Sequence, residues 1–201
     1  MLRKSKKLYK RNNQKICIAG ASRKAGVTHV CLCLANFVHA ALGQKVIYVE
    51  LADESQLLEM VGRDMVRLEE DIIGFKYKGI IYVLTNDVNE VKKLITSQKV
   101  WCIVDIQRLD KDTFTIYDMC DKRVLLGSLQ PWCVRDYHRL VNKIKENSDV
   151  NQQLFFGINI EKKEKKTFEK NYDCEIKALP RMEDPFMLKE EYFDTLLEMI
   201  M

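Results

Sequence analysis

The stretch that decides the fold is Lys15–Val30, KICIAGASRKAGVTHV. It opens with a short apolar run that ends at Gly20, the pattern of a buried strand. Small residues and a second glycine follow. From Val27 to Gln44 apolar residues recur at helical spacing, with Gly43 placed to end the helix. A strand that passes through a small-residue loop directly into a helix is typical of a phosphate-binding loop, whose backbone N–H groups face an anion.

Outward from this stretch, continuously apolar strands alternate with helices. The pattern predicts strands over 15–21, 45–51, 100–106, 123–129, 154–159 and 174–179, and helices over 27–44, 54–61, 86–96, 111–121, 131–146, 161–170 and 188–201. Residues 75–83 are predicted to form either a hairpin turning at Lys78-Gly79 or one irregular strand. This order indicates an α/β fold with a single doubly wound, mostly parallel sheet of about seven strands and helices on both faces.

Composition excludes several other classes of protein. The chain has 201 residues, of which 47% are hydrophobic and 31% charged, as in a soluble globular protein. Its 3 Pro and 8 Gly are few for an all-β protein. We find no membrane-spanning run and no signal peptide. The seven Cys lie mostly in apolar segments without metal-ligand spacing, which indicates reduced thiols and a cytoplasmic location rather than a zinc site.

The positive charge is concentrated at the N-terminus. Residues 1–15 hold seven Lys and Arg and no acid, so the net charge of +4 leaves the rest of the chain mildly acidic. We therefore expect a flexible basic arm over 1–14 and a P-loop NTPase-like domain over 15–201. The arm is either a solvated terminus or a contact for anionic lipid at the inner face of the membrane or for nucleic acid.

The loop matches a Walker A motif, G-x-x-x-x-G-K-[ST], in part. When Gly26 and Thr28 are set on its last glycine and its hydroxyl residue, Ala21 falls on the first glycine and Val27 on the lysine. In addition, Asp105 ends the apolar strand VWCIVDI, where a Walker B aspartate is expected.

On these residues the chain resembles the MinD/ParA-type P-loop ATPases, and the likeness covers nearly the whole chain in element order. Ser22 falls on the extra signature lysine of that family, and Arg23 and Lys24 fall on its two glycines. The resemblance implies an ATP site made by Ala21, Ser22, Arg23, Lys24, Ala25, Gly26, Val27, Thr28 and His29. It also implies that Asn159 and Pro180 lie by the adenine, that Thr28 and Asp105 hold Mg²⁺, and that Asp53 acts with Asp105 in catalysis.

A narrower likeness comes from two later segments. RVLLGSLQPW (123–132) and DPFML (184–188) resemble degenerate members of this group that work with Flp/Tad-type pilus or secretion machinery, including the Tad pilus localisation protein.

Each candidate residue also has a purely structural interpretation. Thr28 can cap the helix, Asp53 can cap the helix that follows it, and Asn159 can form a turn. Asp105 can be a solvated carboxylate at a strand end, and His29 a helix-surface residue.

Three functions remain open. The first is a degenerate ATPase-fold protein that binds ATP and Mg²⁺ weakly or not at all and localises or assembles a protein partner. The second is an active MinD/ParA-like ATPase that cycles through a homodimer, with Arg23 or Lys24 replacing the missing lysine. The third is a nucleic-acid-associated protein held by the basic arm.

Deleting residues 2–12 is expected to leave Tm nearly unchanged. The segment has no apolar periodicity, so ordering it would release no burial energy to offset its lost entropy. Thermal unfolding followed by circular dichroism tests this expectation, and a fall of many degrees would show that the arm packs on the body.

Overall fold

Strand β1 (Lys15–Gly20) lies near the middle of a nine-stranded sheet with the order β3-β4-β5-β2-β6-β1-β7-β8-β9. The structure, a computed structural model, describes residues 13–23, 25–55 and 57–201. The predicted basic arm, apart from residues 13 and 14, and Lys24 in the loop lie outside the described residues.

The other strands are β2 (Val46–Leu51), β3 (Met65–Arg67), β4 (Ile73–Tyr77), β5 (Ile80–Thr85), β6 (Trp101–Ile106), β7 (Lys122–Ser128), β8 (Leu154–Ile158) and β9 (Ile176–Ala178). The helices are α1 (Val27–Asn36), α2 (Leu58–Val61), α3 (Val88–Ser97), α4 (Lys111–Met119), α5 (Val134–Asn147), α6 (Lys162–Tyr172) and α7 (Phe193–Glu198). A π-helical turn, Phe37–Ala41, continues α1.

The sheet is covered on both faces, which is why its central strands are apolar throughout. Ile16 and Ile18 of β1 face a core shared with α1, α2 and α7, while Cys17 and Ala19 face the core shared with α3, α4, α5 and α6. The expected mostly parallel α/β fold with helices on both faces is therefore confirmed.

The sheet has more strands than the expected seven, and the difference lies at one end. Residues 73–85 form the hairpin β4–β5 rather than one irregular strand, because Lys78 (φ 46°) and Gly79 (φ 81°) both adopt the left-handed conformation of a tight turn. Strand β3 then pairs antiparallel with β4. It was missed because its three residues, MVR, carry no apolar run.

Two helices are shorter than predicted. The stretch 54–61 is helical only over Leu58–Val61, and the closing segment 188–201 divides into a 3₁₀ turn, Glu190–Tyr192, followed by α7. Helix α5 begins at Val134, so Pro131 lies in the turn before the helix rather than in its first turn.

A glycine makes room for the packing of α5 on the sheet. The Tyr137 hydroxyl lies 3.0 Å from the carbonyl oxygen of Leu125 and 2.9 Å from that of Phe156, and so links β7 to β8. Its ring covers Gly127 so closely that an added Cβ would meet ring carbons at 2.4 Å.

The substitution Gly127→Ala is therefore expected to lower the free energy of unfolding by about 1–3 kcal/mol, the usual penalty for overpacking a core. Urea unfolding measures it. In a Tyr137→Ala background the same substitution should cost much less, because the opposing ring is gone. An equal penalty in both backgrounds would show that the ring is not the obstacle.

Candidate functional site

The carboxyl ends of β1, β2 and β6 meet at one edge of the sheet. Ile18 of β1 pairs with Asp105 of β6, and Asp105 pairs on its other side with Glu50 of β2. The strands that end at Gly20 and just after Asp105 are therefore neighbours in the sheet. Because side chains at paired positions of parallel strands share a face, Glu50 and Asp105 both lie on the face covered by α1.

The loop after β1 turns tightly into α1. The Ala21 N–H donates to Leu126 O at 2.8 Å and continues the ladder with β7, and the Ala25 N–H donates to Ser22 O at 3.2 Å. Gly26 then takes the left-handed conformation (φ 78°), which glycine adopts without strain, and begins the helix. Within the described chain no side chain caps this helix start, so its first N–H groups are available to an anion.

Val27 fills the position at which the motif has its lysine. The side chain is buried and packs on the backbone of Gly20, where an added Cβ would lie 2.6 Å from Val27 Cγ2. This contact explains why β1 ends in glycine. It also means that an apolar side chain occupies the place from which a cation would reach bound phosphate.

Asp105 is fully buried at the end of β6. Its Oδ2 accepts hydrogen bonds from the Thr28 hydroxyl at 2.6 Å and from the Tyr48 hydroxyl at 2.9 Å. Its Oδ1 is buried too, and no group among the described residues donates to it. Burial raises the pKa of Asp105 to about 6, against the lowering effect of the two hydroxyls.

Glu50 is a second buried carboxylate at this edge, with an exposed fraction of 1%. It accepts from the Ser55 hydroxyl and, at 3.2 Å, from the Gln107 amide. Burial raises its pKa. Asp53, to which the resemblance gives a catalytic role, is exposed. The sequence feature that marks Glu50 as a buried carboxylate is its position inside the apolar run KVIYVEL.

A cavity of about 600 Å³ opens beside the loop. Ser22, Arg23 and Asp53 line it together with Arg108 and Arg139. The structure thus brings four of the predicted site residues, Ala21, Ser22, Arg23 and Asp53, to one cavity, which the buried Asp105 does not line.

The remaining predicted residues have other positions. The His29 ring, through Nε2, lies 2.7 Å from Met182 O, so it is tied to the segment after β9. Asn159 is exposed in the left-handed conformation (φ 51°), and neither it nor the half-buried Pro180 lines the cavity. Asn159 follows Ile158, whose Cδ1 would lie 3.9 Å from a Cβ added at Gly26, so the end of β8 borders the loop.

The described residues contain no group of three or more His, Cys, Asp or Glu side chains suited to hold a metal ion. Any Mg²⁺ at Thr28 and Asp105 would therefore depend on phosphate oxygens for further ligands.

The buried Asp105 should make stability depend on pH. Its pKa is near 6 in the folded state and about 3.9 in an unfolded chain, so the folded state holds its proton more tightly. The stabilisation that Asp105 gives to the folded state is fully present below about pH 4 and is lost as pH rises through about 6. The two-unit difference corresponds to about 3 kcal/mol.

Across this pH range, urea unfolding is expected to show that loss of unfolding free energy in the wild type. The Asp105→Asn variant should show a flatter dependence of the unfolding free energy on pH. Asp53→Asn, a change at an exposed aspartate of the same edge, should retain the wild-type slope. The same slope in all three proteins would contradict the assignment to Asp105.

Comparison with known proteins identifies the fold. No family model matches the sequence, and no curated protein matches it. Among solved structures, a chain of the MinC:MinD cell division protein complex of Aquifex aeolicus is similar, with 18% identity and a TM-score of 0.63 over 92% of this chain and 96% of that chain. A ParA family ATPase from Chlorobium tepidum has 12% identity and a TM-score of 0.60 over 94% and 90%.

A third structure, the septum site-determining protein MinD of Pyrococcus horikoshii complexed with Mg-ADP, has 16% identity and a TM-score of 0.52 over 85% of this chain and 82% of that chain. None of the helices in the described ranges is long and apolar enough to cross a membrane. This chain therefore has the α/β fold of the MinD/ParA P-loop ATPases.

Proposed function

We propose that this chain is a degenerate MinD/ParA-like P-loop protein that binds nucleotide weakly and works as a localisation or assembly factor through a protein partner. The observation that carries the proposal is the buried Val27 at the lysine position, beside a helix start and an aspartate that otherwise suit a phosphate and its metal. The likeness of residues 123–132 and 184–188 to Flp/Tad proteins supports a role with pilus or secretion machinery.

The residues present fit Mg²⁺ and phosphate in part. Thr28 and Asp105 already face each other at 2.6 Å, and the unpaired, buried Oδ1 of Asp105 would gain from a nearby cation. The uncapped N–H groups of α1 would hold phosphate oxygens. When bound, Mg²⁺ neutralises charge on the β- and γ-phosphates.

The missing part is the positive charge on the loop. Losing a charge-assisted hydrogen bond costs roughly 1.5–3 kcal/mol, which is about a tenfold to hundredfold loss of affinity. Arg23 lines the adjoining cavity and is exposed, so it is the described cation best placed to compensate. An active ATPase with a relocated cation is the alternative that the experiment must exclude.

A role through protein partners agrees with the comparison, since one similar structure is a complex of MinD with MinC. The same proposal includes homodimerisation and a cytoplasmic location. A partner or the basic arm would hold the protein at the inner face of the membrane.

Purified protein is expected to hydrolyse little or no ATP and to bind it with micromolar or weaker affinity. Val27→Lys restores the charge at the motif's spacing, so it should tighten ATP binding in a Mg²⁺-dependent manner. Isothermal titration calorimetry with and without Mg²⁺ measures the change, and Asp105→Ala in the Val27→Lys background should weaken the dependence on Mg²⁺.

Val27→Met is the matched control, because it gives a long unbranched side chain without charge and should not tighten binding. Brisk hydrolysis by the wild type, abolished by Arg23→Ala or Lys24→Ala, would establish the active alternative. No gain in a correctly folded Val27→Lys protein would show that the loop no longer cradles phosphate.

A further inference from the structure

An apolar surface groove lies at the far end of α1 from Thr28. It is formed by Phe37, Ala40 and Ala41 at the end of that helix and by Phe186, Leu188 and Phe193 of the C-terminal segment; we call it the α1 groove. Its volume is about 390 Å³. Because α1 runs back from the carboxyl edge of the sheet, this groove lies toward the amino edge, away from the phosphate-binding loop.

The floor of the α1 groove is made of packed aromatic rings, and small side chains form its helix side. The rings of Phe37 and Phe193 pack with their centroids 5.1 Å apart. Beside them, the small side chains of Ala40 and Ala41 leave the end of the helix accessible. Met187 stands on the lip with 76% of its surface exposed, the largest exposure among the large apolar residues described. A flexible thioether in that position adapts to the shape of an incoming side chain.

The segment 183–194, which supplies Phe186, Leu188 and Phe193 to the α1 groove, is acidic, and we call it the rim of the groove. The segment 183–194 presents five exposed acids, Glu183, Asp184, Glu190, Glu191 and Asp194. Lys189, the cation of this segment, lies 3.7 Å from Glu183 and 4.0 Å from Glu191. The remaining carboxylates leave the rim with a net negative charge. Such a rim attracts a cationic ligand and repels anionic lipid and nucleic acid.

The α1 groove also receives a cation from the protein itself. The Lys78 ammonium lies 4.4 Å from the centroid of the Phe186 ring, the arrangement of a cation–π contact. This cation already occupies the face of the Phe186 ring, so the cations of a ligand would meet the carboxylates of the rim, which outnumber Lys78 and Lys189.

We propose that the α1 groove docks a lysine- or arginine-rich segment of a protein partner, anchored by one or two bulky apolar side chains. The apolar anchors fill the space between Ala40 and Phe186, and the cations meet the carboxylates of the rim, as in the binding of an amphipathic peptide to a groove. This inference deepens the partner-binding role proposed above by stating the chemistry of the partner. It needs no nucleotide, so its failure is distinguishable from failure of the nucleotide site.

The test uses the full chain and a fluorescent amphipathic peptide of leucine and lysine, with binding followed by anisotropy. Met187→Lys and the double variant Glu190→Lys/Glu191→Lys should each weaken binding about tenfold, equivalent to ~1.4 kcal/mol. A peptide with glutamate in place of each lysine should not bind. All substituted positions are exposed, so the variants should keep the wild-type Tm.

Two matched variants, Met119→Lys and the double variant Glu146→Lys/Glu161→Lys, place the same changes at exposed positions on the opposite face of the sheet and should bind like the wild type. Absence of binding, or equal weakening by the groove and control variants, would overturn the proposal. Binding that occurs only after deletion of residues 2–12 would also overturn it, because the chain's own basic segment would then be the occupant.

Discussion

The hydrogen bond from the Thr28 hydroxyl to Asp105 joins the first turn of α1 to the end of β6, and the carboxyl edge of the sheet is organised around it. Burying a carboxylate is unfavourable unless hydrogen bonds compensate. Here two hydroxyls donate to one oxygen while the other receives no donor from the described residues. The raised pKa of Asp105 expresses that deficit. Under the proposed function, this partly satisfied carboxylate is the group that would respond to a bound cation.

The burial of Val27 can be compared in energy with the charged hydrogen bond that a lysine at the same position would make. Its side chain is buried against Gly20, and burial of a valine stabilises a fold by about 1.5–3 kcal/mol. That range is close to the loss from removing one charged hydrogen bond. Under the proposed function, the loop would lose affinity for phosphate and gain a firmer contact between β1 and α1.

Helix α1 connects two sites of opposite character. Its first turn faces the buried carboxylate and the uncapped N–H groups, whereas its last turn ends in small apolar residues beside a C-terminal segment with an acidic rim. The same C-terminal region also contacts the start of the helix, through the bond between the His29 ring and Met182 O. One helix and one segment thus frame both the candidate nucleotide site and the α1 groove.

The sequence by itself determined the main strands and helices, because apolar runs and helical spacing are local patterns that burial on a two-sided sheet imposes directly. It also placed Thr28 and Asp105 at the carboxyl edge, since each follows or ends a readable strand. It did not reveal β3, whose three residues become a strand only by pairing with the β4–β5 hairpin. The tertiary structure alone decided that Glu50 lies beside Asp105 on the same face of the sheet, because strand register orients a side chain. It alone formed the α1 groove, because residues far apart in the chain meet only when α1 and the C-terminal segment pack on the same face of the sheet.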